Sequence, residues 1–303
     1  MEFITSAEDL KIMTKEWTGE RLSDGRPKVP DSVLERLRNV KTEEAWFAIQ
    51  KLGFNFQFEG DFHQVHPDRI TVGRALTVVM VPSRPDVHMN LLNYGREELN
   101  YHGFFNQWSL EYLQNNDVLV VDMCDKIING TYLGGNLSTV VKTKTQNPTG
   151  GAVIWGGIRD LQQVYDIEEF NVYYRGVDPT PIGNVMLSGI NKPCRIGKAI
   201  CMPGDVVLGT RTGVLFIPAH LAEDACIVGE KQQAKDLFGF ERLAEGKYTS
   251  AQIDALVWAK DIMDDFIDWF NTSPSAKPYQ HLDWTEEIKR SGNVSLDDFT
   301  GLA

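Results

Sequence analysis

Five stretches rich in β-branched residues limit what this chain can fold into. They are ITVGRALTVVMVP (70–82), NDVLVVDMC (116–124), GGAVIWGG (150–157), NVYYRG (171–176) and DVVLGTRTGVLFIP (205–218). Each is nearly continuous in apolar residues, the pattern of a strand buried on both faces. Helical patterns fall between them, around Asp86–Asn93, Leu137–Lys144 and Asp160–Tyr165. Strands alternating with short helices predict an α/β layered domain over residues 31–229. Two helices precede it, one after Asp31 with Val33, Leu34, Leu37 and Val40 at helical spacing, the other over Thr42–Lys51.

The flanks differ in kind. Residues 1–30 are polar, broken by Gly19, Gly25, Pro27 and Pro30, and read as an arm lying on the body or on a neighbouring subunit. Residues 230–303 hold 14 acids against 8 bases, half of the chain's net charge of −12, and read as an acidic helical extension. A helix is expected from the Thr249-Ser250 cap to about Phe270, with Ile253, Leu256, Val257, Met263, Phe266, Ile267 and Phe270 as its apolar stripe. From Thr272 the chain reads as an extended wrap.

The negative charge argues against binding nucleic acid through bulk electrostatics. No run of about 18 apolar residues exists to span a bilayer, and MEFITSAEDLKIM lacks the apolar centre of a signal peptide. The four cysteines form no C-x-x-C pair and read as reduced, mostly buried thiols, so the expected location is cytoplasmic. Dinucleotide, P-loop and G-x-S-x-G signatures are missing. His63 and His66 have a spacing that binds metals on a helix, but Pro67 breaks any helix there.

Three stretches carry candidate chemistry. Gly134-Gly135-Asn136-Leu137 resembles a strand-to-helix bend whose N–H groups face an anion, although such a bend is equally a plain turn. Arg159-Asp160 follows a buried strand, where open α/β sheets place their ligands. Arg159 has a planar fork for a carboxylate, and Asp160 offers hard oxygens to magnesium or manganese. Equally, Asp160 is a helix cap paired with Arg159. Asp122 ends its strand as an acid, and either it or Asp125 reaches the same crevice or closes the next turn.

VLVVD (118–122), GGNLST (134–139), AVIWGGIRD (152–160), YYRGVDPTP (173–181) and PGDVVLGTRTGVLFIP (203–218) occur in an order that resembles the RraA-like proteins. That family includes the 4-hydroxy-4-methyl-2-oxoglutarate (HMG/CHA) aldolases and related oxaloacetate decarboxylases. The resemblance implies a swivelling β/β/α layered domain, here with an N-terminal arm and a helical C-terminal extension. It also implies a homotrimer or homohexamer with sites at subunit interfaces. By the same resemblance, Gly134, Gly135, Asn136 and Leu137 cradle a small 2-oxo acid, Arg159 holds it, and Asp160 anchors a divalent metal, Mg or Mn. The implied activity is a metal-dependent carbon–carbon lyase working through a metal-stabilised pyruvate enolate. The alternative is a non-catalytic regulator that binds a ribonuclease; such members lack the Asp, which this chain keeps. Gly135 stands where family enzymes often carry an acid, and Thr210-Arg-Thr-Gly213 where they often carry D-x-D-G. Asp122 or Asp125 is the candidate replacement for the missing acid.

Overall fold

A computed structural model describes residues 2–293. The chain divides into two compact units, one of Met1–Thr42 and Phe54–Glu223, the other of Glu43–Gly53 and Asp224–Ala303. The second unit therefore takes its chain from two places, and the passage into it at residues 223 and 224 lies inside a helix that runs on past residue 230.

The first unit is organised by a nine-stranded mixed sheet. Its strands are β1 (Phe58–Glu59), β2 (His63–Gln64), β3 (Thr71–Pro82), β4 (Asp117–Asp122), β5 (Gly150–Ile158), β6 (Phe170–Val177) and β7 (Val185–Ile190), with β8 (Cys194–Ile196) and β9 (Ala199–Cys201) forming a separate hairpin, then β10 (Val206–Thr210) and β11 (Gly213–Ile217). The order is β1-β11-β10-β3-β4-β5-β6-β2, and β7 pairs with the far half of β3 across a register shift at Val79/Met80. The central run β3-β4-β5-β6 is parallel, so the C-terminal ends of β4 and β5 emerge at one edge.

Every residue of β4 and β5 is buried, as the unbroken apolar runs predict. Alternate side chains serve two different cores. Leu119, Val121, Ile154 and Ile158 face one, with Trp108, Leu133 and Val141. Val118, Val120, Val153 and Trp155 face the other, with the β8–β9 hairpin residues Cys194, Ile196 and Cys201. The helices of this unit are α1 (Ala7–Met13) and α2 (Asp31–Leu37); α3 (Thr42–Gln50) begins at its boundary with the second unit; α4 (Pro85–Glu97), α5 (Phe105–Leu110), α6 (Gly135–Thr145) and α7 (Leu161–Tyr165) then follow the strands. The arm is built into this unit: Phe3 and Leu10 are buried, and the fully buried Arg26 guanidinium binds the fully buried Asp117 at 2.8 Å. Removing one partner of such a pair leaves a bare charge in the core, a loss of about 3–5 kcal/mol.

The second unit is helical, with α8 (Ala222–Ala244), α9 (Ser250–Ile253), α10 (Lys260–Thr272) and α11 (Thr285–Arg290). Its core gathers Phe238, Trp258, Phe266, Trp269, Phe270 and Trp284. The single helix expected from residue 249 to about 270 is two helices. Thr249 and Gln252 form a capping box at the start of α9, which ends after Ile253. There the Trp258 indole N–H donates to the Ile253 carbonyl at 2.8 Å. The bend buries Trp258 against Phe238 and Phe266, each 5.4 Å between ring centres, and leaves Leu256 exposed. The extended wrap expected from Thr272 is also corrected. Pro274–Tyr279 forms a 3-10 turn and α11 follows, because Leu282 and Trp284 are drawn into the core. The last part of that wrap, 294–303, lies outside the described residues. No helix among the described residues is long and apolar enough to cross a membrane.

Candidate active site

The glycine bend is fixed beside the end of β5 by backbone bonds. Leu133 bridges Ile158, and the Arg159 N–H donates to the Leu133 carbonyl at 2.9 Å. Gly134 is the extended N-cap of α6 (φ −142°, ψ −168°), and no side chain caps that helix. The Gly135 N–H donates instead to Asp160 Oδ2 at 3.3 Å, and Arg159 Nε lies 3.3 Å from the same oxygen. The two stretches picked from the sequence thus meet at one carboxylate.

Local geometry explains why glycine stands at 134. A Cβ there would collide with Asp160 Oδ2 and crowd the Arg159 side chain. Asp160 has left-handed backbone angles (φ 53°, ψ 39°), a conformation that Asp and Asn tolerate better than most residues. Its side chain makes no cap bond to α7, so the reading of Asp160 as an ordinary helix cap is corrected: the carboxylate serves the glycine bend. Arg159 and Asp160 side chains are 38% and 30% exposed, within reach of a small solute. Asn136 is exposed, whereas Leu137 packs its side chain on the core and offers the site its backbone alone. The Asp160 carboxylate meets the first amide of α6, and the later first-turn amides, with the helix dipole behind them, favour a further anion oxygen at this point.

Sequence reasoning passed over Gln163. Its side-chain oxygen occupies the space that a side chain at Gly135 would need. The available signal was the three-residue spacing from Asp160, the N-cap of α7, to Gln163 in that helix's first turn.

Asp122 goes elsewhere. It lies on the sheet face of Trp155 and Cys194, whereas Leu133 and α6 pack on the opposite face. The Cys124 N–H donates to Asp122 Oδ1 at 2.7 Å, and Arg195 stands 3.6 Å away, so the carboxylate closes the turn after β4. Asp125 pairs with Arg195 at 2.8 Å and accepts the Trp155 indole N–H. Burial pushes the Asp122 carboxyl above its ordinary value, with Arg195 and the Cys124 N–H offsetting only part of the effect. Consecutive left-handed residues, Cys124 (φ 49°) and Asp125 (φ 62°), shape the turn.

Among the described residues, no three His, Cys, Asp or Glu side chains converge to hold a metal. His63 faces Tyr174 from β2, and His66 bonds the Tyr165 carbonyl at 3.0 Å. Asp160 is the carboxylate of the site suited to a divalent ion. Among the described residues its Oδ1 has no hydrogen-bond partner, while Oδ2 holds the Gly135 N–H and Arg159. A magnesium-like ion fits such a place, because it is commonly held by one or two carboxylates with waters and substrate oxygens completing its shell.

The RraA-like family, described as aldolase/RraA, matches residues 31–216. A protein of Halalkalibacterium halodurans named "Putative 4-hydroxy-4-methyl-2-oxoglutarate aldolase" is 28% identical over 123 residues, 40% of this chain and 55% of that one. The chain thus spans little more than half the length of this relative. Among solved structures, an uncharacterised protein of Pseudomonas syringae pv. tomato superposes with a TM-score of 0.61 at 19% identity, covering 78% of this chain and 98% of the other. Streptomyces coelicolor RraAS2, described as an unusual member of the RNase ES inhibitor RraA family, gives 0.57 at 21% identity over 75% and 98%. At these identities the structures speak for the fold alone. Since the family match takes in well over half of the sequence, the chain belongs to the RraA-like family.

Proposed function

We propose that the protein is a divalent-metal-dependent lyase that breaks a carbon–carbon bond of a small 2-oxo acid. The observation that supports this reading is the convergence of the Gly134–Gly135 bend, Arg159 and Asp160 on one partly exposed carboxylate. Arg159 would steady the substrate carboxylate through its planar fork. The backbone N–H groups opening α6 would face the negative charge developing on the C2 oxygen. Asp160, through its unengaged Oδ1, would hold the divalent ion, which when bound supplies Lewis-acid polarisation of the keto oxygen.

Of the two reactions implied for such a site, this chain's residues favour decarboxylation of a 3-carboxylated oxo acid such as oxaloacetate. Retro-aldol cleavage needs a base to take the proton from the C4 hydroxyl. Here Gly135 supplies no side chain, Gln163 fills that space with a neutral amide, and Asp122 lies on the other sheet face. Loss of carbon dioxide needs no such base: the C3–C4 electrons pass into the keto group, and water then protonates C3 to give pyruvate.

The test is pyruvate release from oxaloacetate and from 4-hydroxy-4-methyl-2-oxoglutarate, with Mg²⁺ or Mn²⁺ and then with a chelator in excess. Metal-dependent release that Asp160→Asn abolishes supports the lyase, and faster turnover of oxaloacetate supports the preference. If folded protein with either metal releases no pyruvate from either acid, the reading is wrong. Retention of a ribonuclease by that inactive protein would then favour a regulator.

A further inference from the structure

The helical second unit contains a cavity of about 580 Å³, formed by α3, α8, α11 and the bend after α9. That volume lies in the range of sites for small organic ligands. Although this part of the chain is acidic, four cations line the cavity: Lys51, Lys231, Lys235 and Arg290. Three of them sit over aromatic rings. Lys51 lies 4.1 Å from the Phe47 ring centre, Lys235 4.5 Å from Trp258, and Lys231 5.3 Å from Trp284.

The three acids at the rim do not balance these groups equally. Glu287 takes Lys231 at 2.8 Å, Asp236 accepts the Gln232 amide at 2.7 Å, and Asp254 stands at the end of α9. Lys235 makes no ion pair among the described residues; the indole face of Trp258 and the more distant charges of Glu287 and Asp236 steady its ammonium. An ammonium held by a ring keeps its N–H donors for an incoming oxyanion. Mostly buried, Lys235 also has its pKa lowered by desolvation, so a bound anion would relieve a cost already present in the fold. Trp284, 4% exposed, also lines the cavity and carries a buried indole N–H with no partner among the described residues.

We propose that this cavity binds a small aromatic anion, with its carboxylate on Lys235 and its ring against Trp258 and the apolar wall of Ile253 and Leu256. The site is independent of the Arg159–Asp160 chemistry: it belongs to a different unit and uses none of the same residues.

Calorimetric titration of the full chain with benzoate, benzamide and acetate tests it. Benzoate should saturate one site per chain at millimolar or lower concentration. Benzamide, which lacks the charge, and acetate, which lacks the ring, should each bind at least tenfold more weakly. Lys235→Gln should weaken benzoate tenfold or more, Lys235→Arg should restore most of the affinity, and Trp258→Phe should remove the benzoate-dependent change in tryptophan emission. Far-UV circular dichroism and the urea midpoint of Lys235→Gln, compared with the parent, report whether the variant is folded. No saturation by 10 mM benzoate, or equal binding to the parent and to folded Lys235→Gln, overturns the proposal.

Discussion

The neighbouring strands β4 and β5 each finish at the same sheet edge near an Asp–Arg pair, yet the two pairs are put to opposite uses. At the end of β5, Arg159 and Asp160 share an oxygen with a glycine backbone, keep the other carboxylate oxygen unengaged, and stay about one-third exposed. At the end of β4, Asp122 is buried, binds the backbone of its own turn, and has Arg195 shared with Asp125. Residue type is the same in both places. What separates them is which sheet face the strand presents at its last residue, and whether a glycine bend comes close enough to replace side-chain partners with backbone donors.

This contrast can be broken experimentally, beginning with the largest effect. Asp160→Asn is expected to lower turnover by about 10³-fold or more, because it removes the carboxylate suited to the metal. Its urea midpoint should barely move, since Asn tolerates the left-handed backbone at that position. Asp122→Ala should do the reverse: a loss of about 1–3 kcal/mol in unfolding free energy, from a buried N–H left without its acceptor, with turnover largely kept. If Asp122→Ala silences catalysis in a protein of parental stability, the division of roles is wrong.

Gly134→Ala comes next. Its new methyl must displace Asp160 Oδ2, so turnover should fall about 10–100-fold with little change in melting temperature. In Gly135→Ala the methyl displaces the amide end of the exposed Gln163 side chain and presses on its Cβ at 3.0 Å, but it does not meet Asp160, so the loss should be smaller than at Gly134. Equal losses at the two glycines would mean that the bend acts through backbone freedom rather than through the carboxylate it touches.

The smallest effect is a pH slope. Burial raises the Asp122 pKa, so folding favours its protonated form. The parent should therefore lose stability as pH rises from the ordinary carboxylate range toward the elevated folded value. Asp122→Asn lacks that term, so its stability relative to the parent should increase with pH over that window, as read from urea midpoints. A flat difference would mean that Arg195 fully offsets the burial.

Much of this was legible in the residues, and the rest was not for definable reasons. The strands of the parallel run declared themselves because both faces are buried, leaving no polar alternation to blur the pattern. Gly134 and Arg159-Asp160 are paired by the family resemblance; in the structure the Leu133–Ile158 bridge beside the parallel run is what brings them together. The orientation of Asp122 was not readable, since a strand's last residue can face either core and only the neighbouring hairpin shows which one. The break between α9 and α10 depends on Trp258 reaching Phe238, a contact across twenty positions that no local window registers. Gln163 belongs to no motif and matters only because the residue at 135 has no side chain.

The positive φ at residue 160 has an evolutionary corollary. Few side chains sit there without strain, and the least disruptive replacement for aspartate is its amide, one base change away. On the lyase reading proposed above, a single such event would remove the carboxylate suited to the metal while the backbone kept its shape. A lineage of such an enzyme could therefore shed catalysis in one step and keep the scaffold for other employment.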